Sequence, residues 1–268
     1  MKSLDGNSVK KLLVAGFAAA AFCGAPALAA DIGVKAPLPA PTPVYSWTGF
    51  YVGADVGGVW TNNTGMYDPL PSPAAFNNNV ISASNGGSSV TGGFHAGYNY
   101  QFSPIWVAGI EGDWSWAHAS GSFNQVATFF TGGPISGSSV SMSSTIDWMS
   151  SLRARLGYVV APNLLAYATG GVAWGHFDYA ANNKQGLASP GYVATAALSS
   201  TQVGYVVGGG LEWAMTNNWI LRAEYLFYNF GGAPNVAVQQ TGTPGFPSGY
   251  SWSSTNVSVA RAGLSYKF

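Results

Sequence analysis

The chain has 268 residues, ten basic and ten acidic, so its formal net charge is zero. Charged residues make up only 7% of it, against about 25% in ordinary soluble domains, which argues against a soluble domain with a charged surface. Aromatics at 14%, with 10 Trp, 14 Tyr and 14 Phe, argue equally against disorder, because disordered chains are poor in rings. Few charges point to a membrane, yet the mean hydropathy is only +0.15. Beyond the N-terminus no apolar run reaches the roughly 20 residues that a helical span needs. Strands that alternate apolar and polar residues reconcile the two observations.

At the N-terminus, Lys10 and Lys11 precede an apolar stretch from Leu12 to Phe22, and Ala27-Leu28-Ala29 follows. A basic segment, a short apolar core and an A-x-A site describe a secretory signal peptide, expected at 1–29 with cleavage after Ala29. The only cysteine, Cys23, lies inside it behind Phe22, where a lipoprotein signal would have a small residue. The mature chain is thus expected to hold no thiol and no disulfide. Removing Lys2, Lys10, Lys11 and Asp5 from ten basic and ten acidic residues leaves seven and nine, a balance that offers nothing to nucleic acid. Pro37, Pro39, Pro41 and Pro43 mark 30–46 as an extended periplasmic leader.

From Trp47 the expected strands are Trp47–Trp60, Gly92–Phe102, Ile105–Ala117, Ile146–Val160, Leu164–Gly175, Gln202–Ala214, Trp219–Phe230 and Asn256–Phe268. Short turns at Ser103-Pro104, Ala161-Pro162-Asn163 and Met215–Asn218 alternate with long Ser/Gly/Asn-rich segments near 61–91, 118–145, 176–201 and 231–255. Short turns at one end and long loops at the other are the pattern of an outer-membrane barrel with both termini in the periplasm. The expected fold is therefore all-β: an eight-stranded antiparallel transmembrane barrel over 47–268.

Side-chain parity separates the two faces of each strand. In the third strand Trp106, Ala108, Ile110, Trp114 and Trp116 oppose Glu111, Asp113 and Ser115. In the fourth, Trp148, Leu152, Ala154, Leu156 and Tyr158 oppose Asp147, Arg153 and Arg155. The sixth and seventh set Glu212, Arg222 and Glu224 against apolar rows, and the eighth does so with Arg261 and Lys267. Asp55 faces away from Phe50, Val52 and Val56. These six acids and five bases, Asp55, Glu111, Asp113, Asp147, Arg153, Arg155, Glu212, Arg222, Glu224, Arg261 and Lys267, are the expected charge network of the lumen. Paired charges are tolerable in a confined interior, whereas a Lys or Arg facing mid-membrane lipid costs about 2–4 kcal/mol.

Tryptophans gather at strand ends: Trp106, Trp213 and Trp219 beside short turns, and Trp60, Trp116, Trp148 and Trp174 beside long segments. Rings at both ends are the expected aromatic girdles of the two membrane–water interfaces.

The opening Trp47-Thr48-Gly49-Phe50-Tyr51-Val52-Gly53-Ala54 resembles that of the small outer-membrane immunogenic (RopB-like) porin family. So do Gly97-Tyr98-Asn99-Tyr100-Gln101-Phe102, Glu111-Gly112-Asp113-Trp114, Arg153-Ala154-Arg155-Leu156-Gly157-Tyr158, Ala168-Thr169-Gly170-Gly171 and Ala223-Glu224-Tyr225-Leu226. The resemblance spans the whole mature domain and implies an OmpA-like barrel, abundant at the surface of a Gram-negative cell. The ending, with Arg261, Gly263, Tyr266 and the terminal Phe268, is similar to the signal read by the barrel-assembly machinery. Expected partners are therefore outer-membrane lipid and lipopolysaccharide, with the secretion translocon and the assembly machinery during biogenesis.

No phosphate loop, dinucleotide fingerprint, nucleophile elbow or zinc-protease pair is present, and neither cofactor, metal nor catalytic residue is expected. Gly208-Gly209-Gly210 falls mid-strand, where close packing is the natural use. His95 shares the interior face with Asn99 and Gln101, which suits structural hydrogen bonding; His118 and His176 fall at loop boundaries. Two functions lead, with adhesion or immune and phage contact through the loops compatible with either and an enzyme last. Eight strands enclose a space that side chains fill, which favours a structural surface protein of the envelope with an ion-paired plug. Interior glycines (Gly53, Gly57, Gly97, Gly109, Gly157, Gly204, Gly208) leave room instead for a narrow diffusion channel for ions or small solutes.

Overall fold

A sheet with one apolar and one polar face loses its exposed edges when it closes on itself. The computed structural model describes residues 45–69, 81–128, 134–185, 192–233, 236–239 and 247–268. Its strands are β1 (Gly49–Pro69), β2 (Ile81–Gln101), β3 (Trp106–Thr128), β4 (Pro134–Ala161), β5 (Leu164–Gln185), β6 (Tyr192–Ala214), β7 (Trp219–Phe230), β8 (Val236–Gln239), β9 (Pro247–Trp252) and β10 (Thr255–Lys267). β1 to β7 follow one another around the sheet, β10 packs on β7, and β10 pairs with β1 to close the ring. Eight antiparallel strands make the barrel. β8 and β9 form a hairpin beside it, joined through β9 to the far end of β1. The expected signal segment, and the leader as far as residue 44, lie outside the described residues.

Turn chemistry sets the short end. Pro104 and Pro162 fall between strands, where their missing N–H breaks the ladder without loss. Between β6 and β7 the Thr216 hydroxyl accepts from the amides of Asn218 at 3.3 Å and Trp219 at 3.0 Å, a side chain standing in for a backbone turn. At the same end the amide of Phe268 donates to Phe50 O at 3.0 Å, and that of Lys267 to Asn218 O at 2.7 Å.

The other end differs from expectation. The stretches expected as long loops near 61–91, 118–145 and 176–201 are largely strand: β1 runs on to Pro69, β3 to Thr128 and β5 to Gln185. The 22 residues of β5 span about 70 Å, or roughly 55 Å of barrel height at a tilt near 40°. The outward apolar rows run from Phe50 to Trp60, from Trp106 to Trp116 and from Val203 to Trp213. Ten residue steps at that tilt give about 25 Å, the height of a membrane band. More than half of the height of the long strands such as β5 therefore stands clear of the membrane, whereas β7 and β10, with 12 and 13 residues, end near the top of the band.

Three layers fill the interior. Trp47, Val107, Leu165, Ala214 and Ile220 cap the short end, with Tyr45 and Val159 against them. A belt of charged side chains crosses the middle. Above it lies a larger apolar core that includes Val59, Met142, Ile146, Met149, Phe177, Tyr179, Leu226, Tyr228, Phe230, Tyr250 and Trp252. The hairpin folds into this core, bringing the Trp252 ring within 5.0 Å of Tyr179.

Candidate functional site

Strand register builds the charged belt. Pairing of β3 with β4 sets Glu111 opposite Arg153, β6 with β7 sets Glu212 opposite Arg222, and β7 with β10 sets Glu224 opposite Arg261. Opposite charges at facing positions favour that register. With Asp55, Asp113 and Arg155, nine of the eleven expected lumen charges meet at one level, all of them buried.

Glu111 sits at the centre. Arg153 approaches it at 2.5 Å and Arg155 at 3.1 Å, while Arg222 donates from both terminal nitrogens at 2.9 and 3.1 Å. The Tyr51 hydroxyl donates to its other side at 2.6 Å. Glu224 holds Arg153 at 2.9 Å, Arg222 at 3.0 Å and Arg261 at 2.7 Å, and accepts from Tyr167 at 2.9 Å. Arg155 forms an ion pair with Glu212 at 2.7 Å and lies over the Tyr167 ring, 4.0 Å from its centroid. Ser151 donates to Asp113 at 2.8 and 2.9 Å. Burying so many charges is tolerable because Glu111, Glu224 and Asp113 each face several donors, whereas Glu212 pairs with Arg155. Tyr51 and Tyr167 complete the network; Tyr51 shares parity with Asp55 on β1, a signal present in the sequence, whereas β5 has no inward charge beside Tyr167 to mark it.

Interior glycines seat these groups. At Gly53 the His95 ring occupies the space a Cβ would need, and at Gly97 the Tyr51 hydroxyl does the same. The positions that suggested an open lumen are filled by neighbours.

His95 reaches across Gly53 between β2 and β10. Its Nδ1 meets Asp55 at 2.7 Å and its Nε2 meets the Ser265 hydroxyl at 2.7 Å. The order Ser–His–Asp is that of a nucleophile relay, and neither Ser265 nor Asp55 announces it by spacing in sequence. All three groups are buried, and Asp55 also faces Arg261 at 3.6 Å. The arrangement ties three strands together at the seam where the barrel closes.

Two expected members stand apart. Asp147, expected inside, is on the outer face, 3.2 Å from His118. The cause is a bulge. Between Ile146 and Trp148, β4 has one residue more than β5, so even positions point inward up to Ile146 and odd ones from Met149. Lys267 points inward at the short end, away from the belt. It bonds the Ser46 carbonyl, and its ammonium lies 4.3 Å from the centre of the Tyr45 ring. Burial and the Glu212 charge raise the Tyr45 hydroxyl to about 12.

Of the expected girdle rings, Trp106, Trp213 and Trp219 are exposed on the outer face near the short end, and Trp60 and Trp116 at the top of the apolar band. Trp148 and Trp174 are half-buried beside them. Tyr266 and Phe268 point outward at the end of β10, while Arg261 and Gly263 point inward.

Residues 15–268 match the outer membrane protein beta-barrel domain family. The chain belongs to that family. It is 31% identical over 255 residues to the 31 kDa outer-membrane immunogenic protein of Brucella melitensis, covering 93% of this chain and 96% of that protein. It is 32% identical over 235 residues to the 25 kDa outer-membrane immunogenic protein of Brucella abortus, covering 84% and 86%. Among solved structures, the outer membrane protein OprG from Pseudomonas aeruginosa superposes with a TM-score of 0.43 at 12% identity, covering 82% of this chain and 96% of that one. As a member of the family, the protein is an integral outer-membrane β-barrel, and its short-turn end faces the periplasm.

Proposed function

We propose that this protein is a structural, surface-exposed component of the outer membrane that contributes to envelope integrity and antigenicity and has a closed interior. The observation that supports this reading is the stacking of layers inside the barrel. A belt in which four arginines are bound to five carboxylates lies between two apolar plugs. An ion on that path would enter apolar core and then break buried pairs, each step opposed by desolvation of several kcal/mol per ion. The extension above the membrane displays a polar outer wall, the part of the molecule open to antibodies. That agrees with relatives named as immunogenic.

The competing reading, a narrow channel for ions or small solutes, rests on the interior glycines, but His95, Tyr51, Asn99 and Leu165 take the space at Gly53, Gly97, Gly109 and Gly157, and neighbouring strands crowd Gly57, Gly204 and Gly208. Catalysis by the Ser265 relay lacks an open approach for a substrate, because Ser265 is 2% exposed. During biogenesis, Tyr266 and Phe268 offer exposed rings to the assembly machinery. Purified protein in planar bilayers tests the main reading. Electrical silence is expected, and steady, ion-selective single-channel steps altered by Arg153→Ala would overturn it.

A further inference from the structure

The bulge in β4 turns Asp147 onto the outer face of the barrel, beside titratable side chains of β3 and β5. Asp147 on β4 and His176 and Asp178 on β5 each aim a ligand atom at one spot, and these atoms lie within 4.8 Å of one another. His118 on β3 touches Asp147 at 3.2 Å from the other side and is 81% exposed. Three neighbouring strands thus contribute two imidazoles and two carboxylates to a single patch of outer wall.

We infer that this patch is a surface site for a borderline divalent metal ion of the Zn²⁺ or Cu²⁺ class, held by Asp147, His176 and Asp178. Donor chemistry argues for that class: imidazole nitrogen with carboxylate oxygen suits Zn²⁺ and Cu²⁺, whereas Mg²⁺ and Ca²⁺ favour oxygen alone. Charge argues for a cation. Two carboxylates are held side by side, and among the described residues neither forms an ion pair with a lysine or arginine.

Geometry is permissive. With bonds of about 2.0–2.1 Å, tetrahedral ligand atoms stand roughly 3.4 Å apart, so donors now within 4.8 Å of one another close by up to about 1.4 Å, which rotation of surface side chains supplies. The His176 ring is already oriented. It lies parallel to Trp148 at 2° and its nitrogens contact Thr201 and Ser199, each at 3.1 Å. A metal replaces one hydroxyl and leaves the other to fix the ring, as outer partners do at metal sites. The bulge itself is the enabling feature, since an unbroken ladder would turn Asp147 inward. The patch stands one step above the Trp116, Trp148 and Trp174 rings, where it meets the external medium.

The experiment is equilibrium binding of Zn²⁺ and Cu²⁺ to tag-free protein in micelles, with Ca²⁺ as the comparison ion. One Zn²⁺ per chain is expected, with affinity falling at least about tenfold in His176→Ala and in Asp178→Asn, the loss seen when even an outer partner of a metal site is removed. Bound Cu²⁺ is expected to show nitrogen coupling in its electron paramagnetic spectrum, and the double variant His118→Ala/His176→Ala to lose it. All substitutions lie on the outer wall, and retained β-sheet circular dichroism checks that each variant is folded. Absence of saturable binding would overturn the inference, as would equal affinity in the folded His176→Ala variant or equal preference for Ca²⁺.

Discussion

Below Trp174, β5 turns Ala166, Ala168 and Val172 outward and keeps Tyr167 beside the charged belt. Above Trp174 the same strand turns His176, Asp178, Asn182 and Lys184 outward and packs Phe177 and Tyr179 inside. Parity does not change along it, but polarity does. In the membrane the outer face is apolar and the inner face charged; above the membrane the outer face is polar and the core apolar, as in a water-soluble barrel. The ladder of hydrogen bonds is indifferent to this exchange, so one continuous sheet serves two solvents. What each face carries follows from the surroundings, hydrocarbon below and water above.

Substitutions that leave one region's logic intact and violate the other's test this contrast. The largest effect is expected from Glu111→Ala, which leaves Arg153, Arg155 and Arg222 short of a shared carboxylate. Loss of about 3–5 kcal/mol is expected, read by urea unfolding in micelles with tryptophan fluorescence. In the upper region Met142→Ala opens a cavity in the apolar core, with about 2–5 kcal/mol lost locally. Hydrogen exchange should then quicken around 140–146 and 177–181 while amides near Arg153 and Arg222 stay protected, because sub-regions open separately. On the outer wall, Val56→Arg meets lipid near mid-band and is expected to lose about 2–4 kcal/mol. Asn182→Arg meets water and should change stability by about 0.5 kcal/mol or less. A small effect is expected at the periplasmic end, where Thr216→Ala removes the hydroxyl that caps the β6–β7 turn, at a loss of about 1 kcal/mol.

The membrane region was legible in the sequence because its two faces differ so sharply. Trp106, Ala108 and Ile110 against Glu111 and Asp113 leave one assignment of inside and outside, and β7 spans the expected residues Trp219–Phe230. The extension was hidden by composition. Outward Ser82, Ser84, Ser120 and Ser143 beside glycines read as loop, since serine and glycine are turn residues when no solvent is specified. Within β4 the inward residues Val140, Met142 and Ile146 are out of phase with Ser151 and Arg153. A period-two reading carried through the bulge therefore sends Asp147 to the wrong face. Hairpin β8–β9 has only 4 and 6 residues per strand, too short for alternation to register. Partners at the belt, such as Tyr51 over Gly97, depend on which strands become neighbours, which no single strand reveals.

The inversion of polarity is tested most directly by paramagnetic labels on single cysteines introduced at Val56 and at Asn182, in a chain whose only native cysteine is Cys23. In lipid bilayers, the label at Val56 should collide freely with oxygen and hardly with a water-soluble nickel chelate. At Asn182, on the same outer wall, the preference should reverse. Equal accessibility to the two reagents at both positions, or an oxygen-dominated signal at Asn182, would contradict a barrel that crosses from hydrocarbon into water.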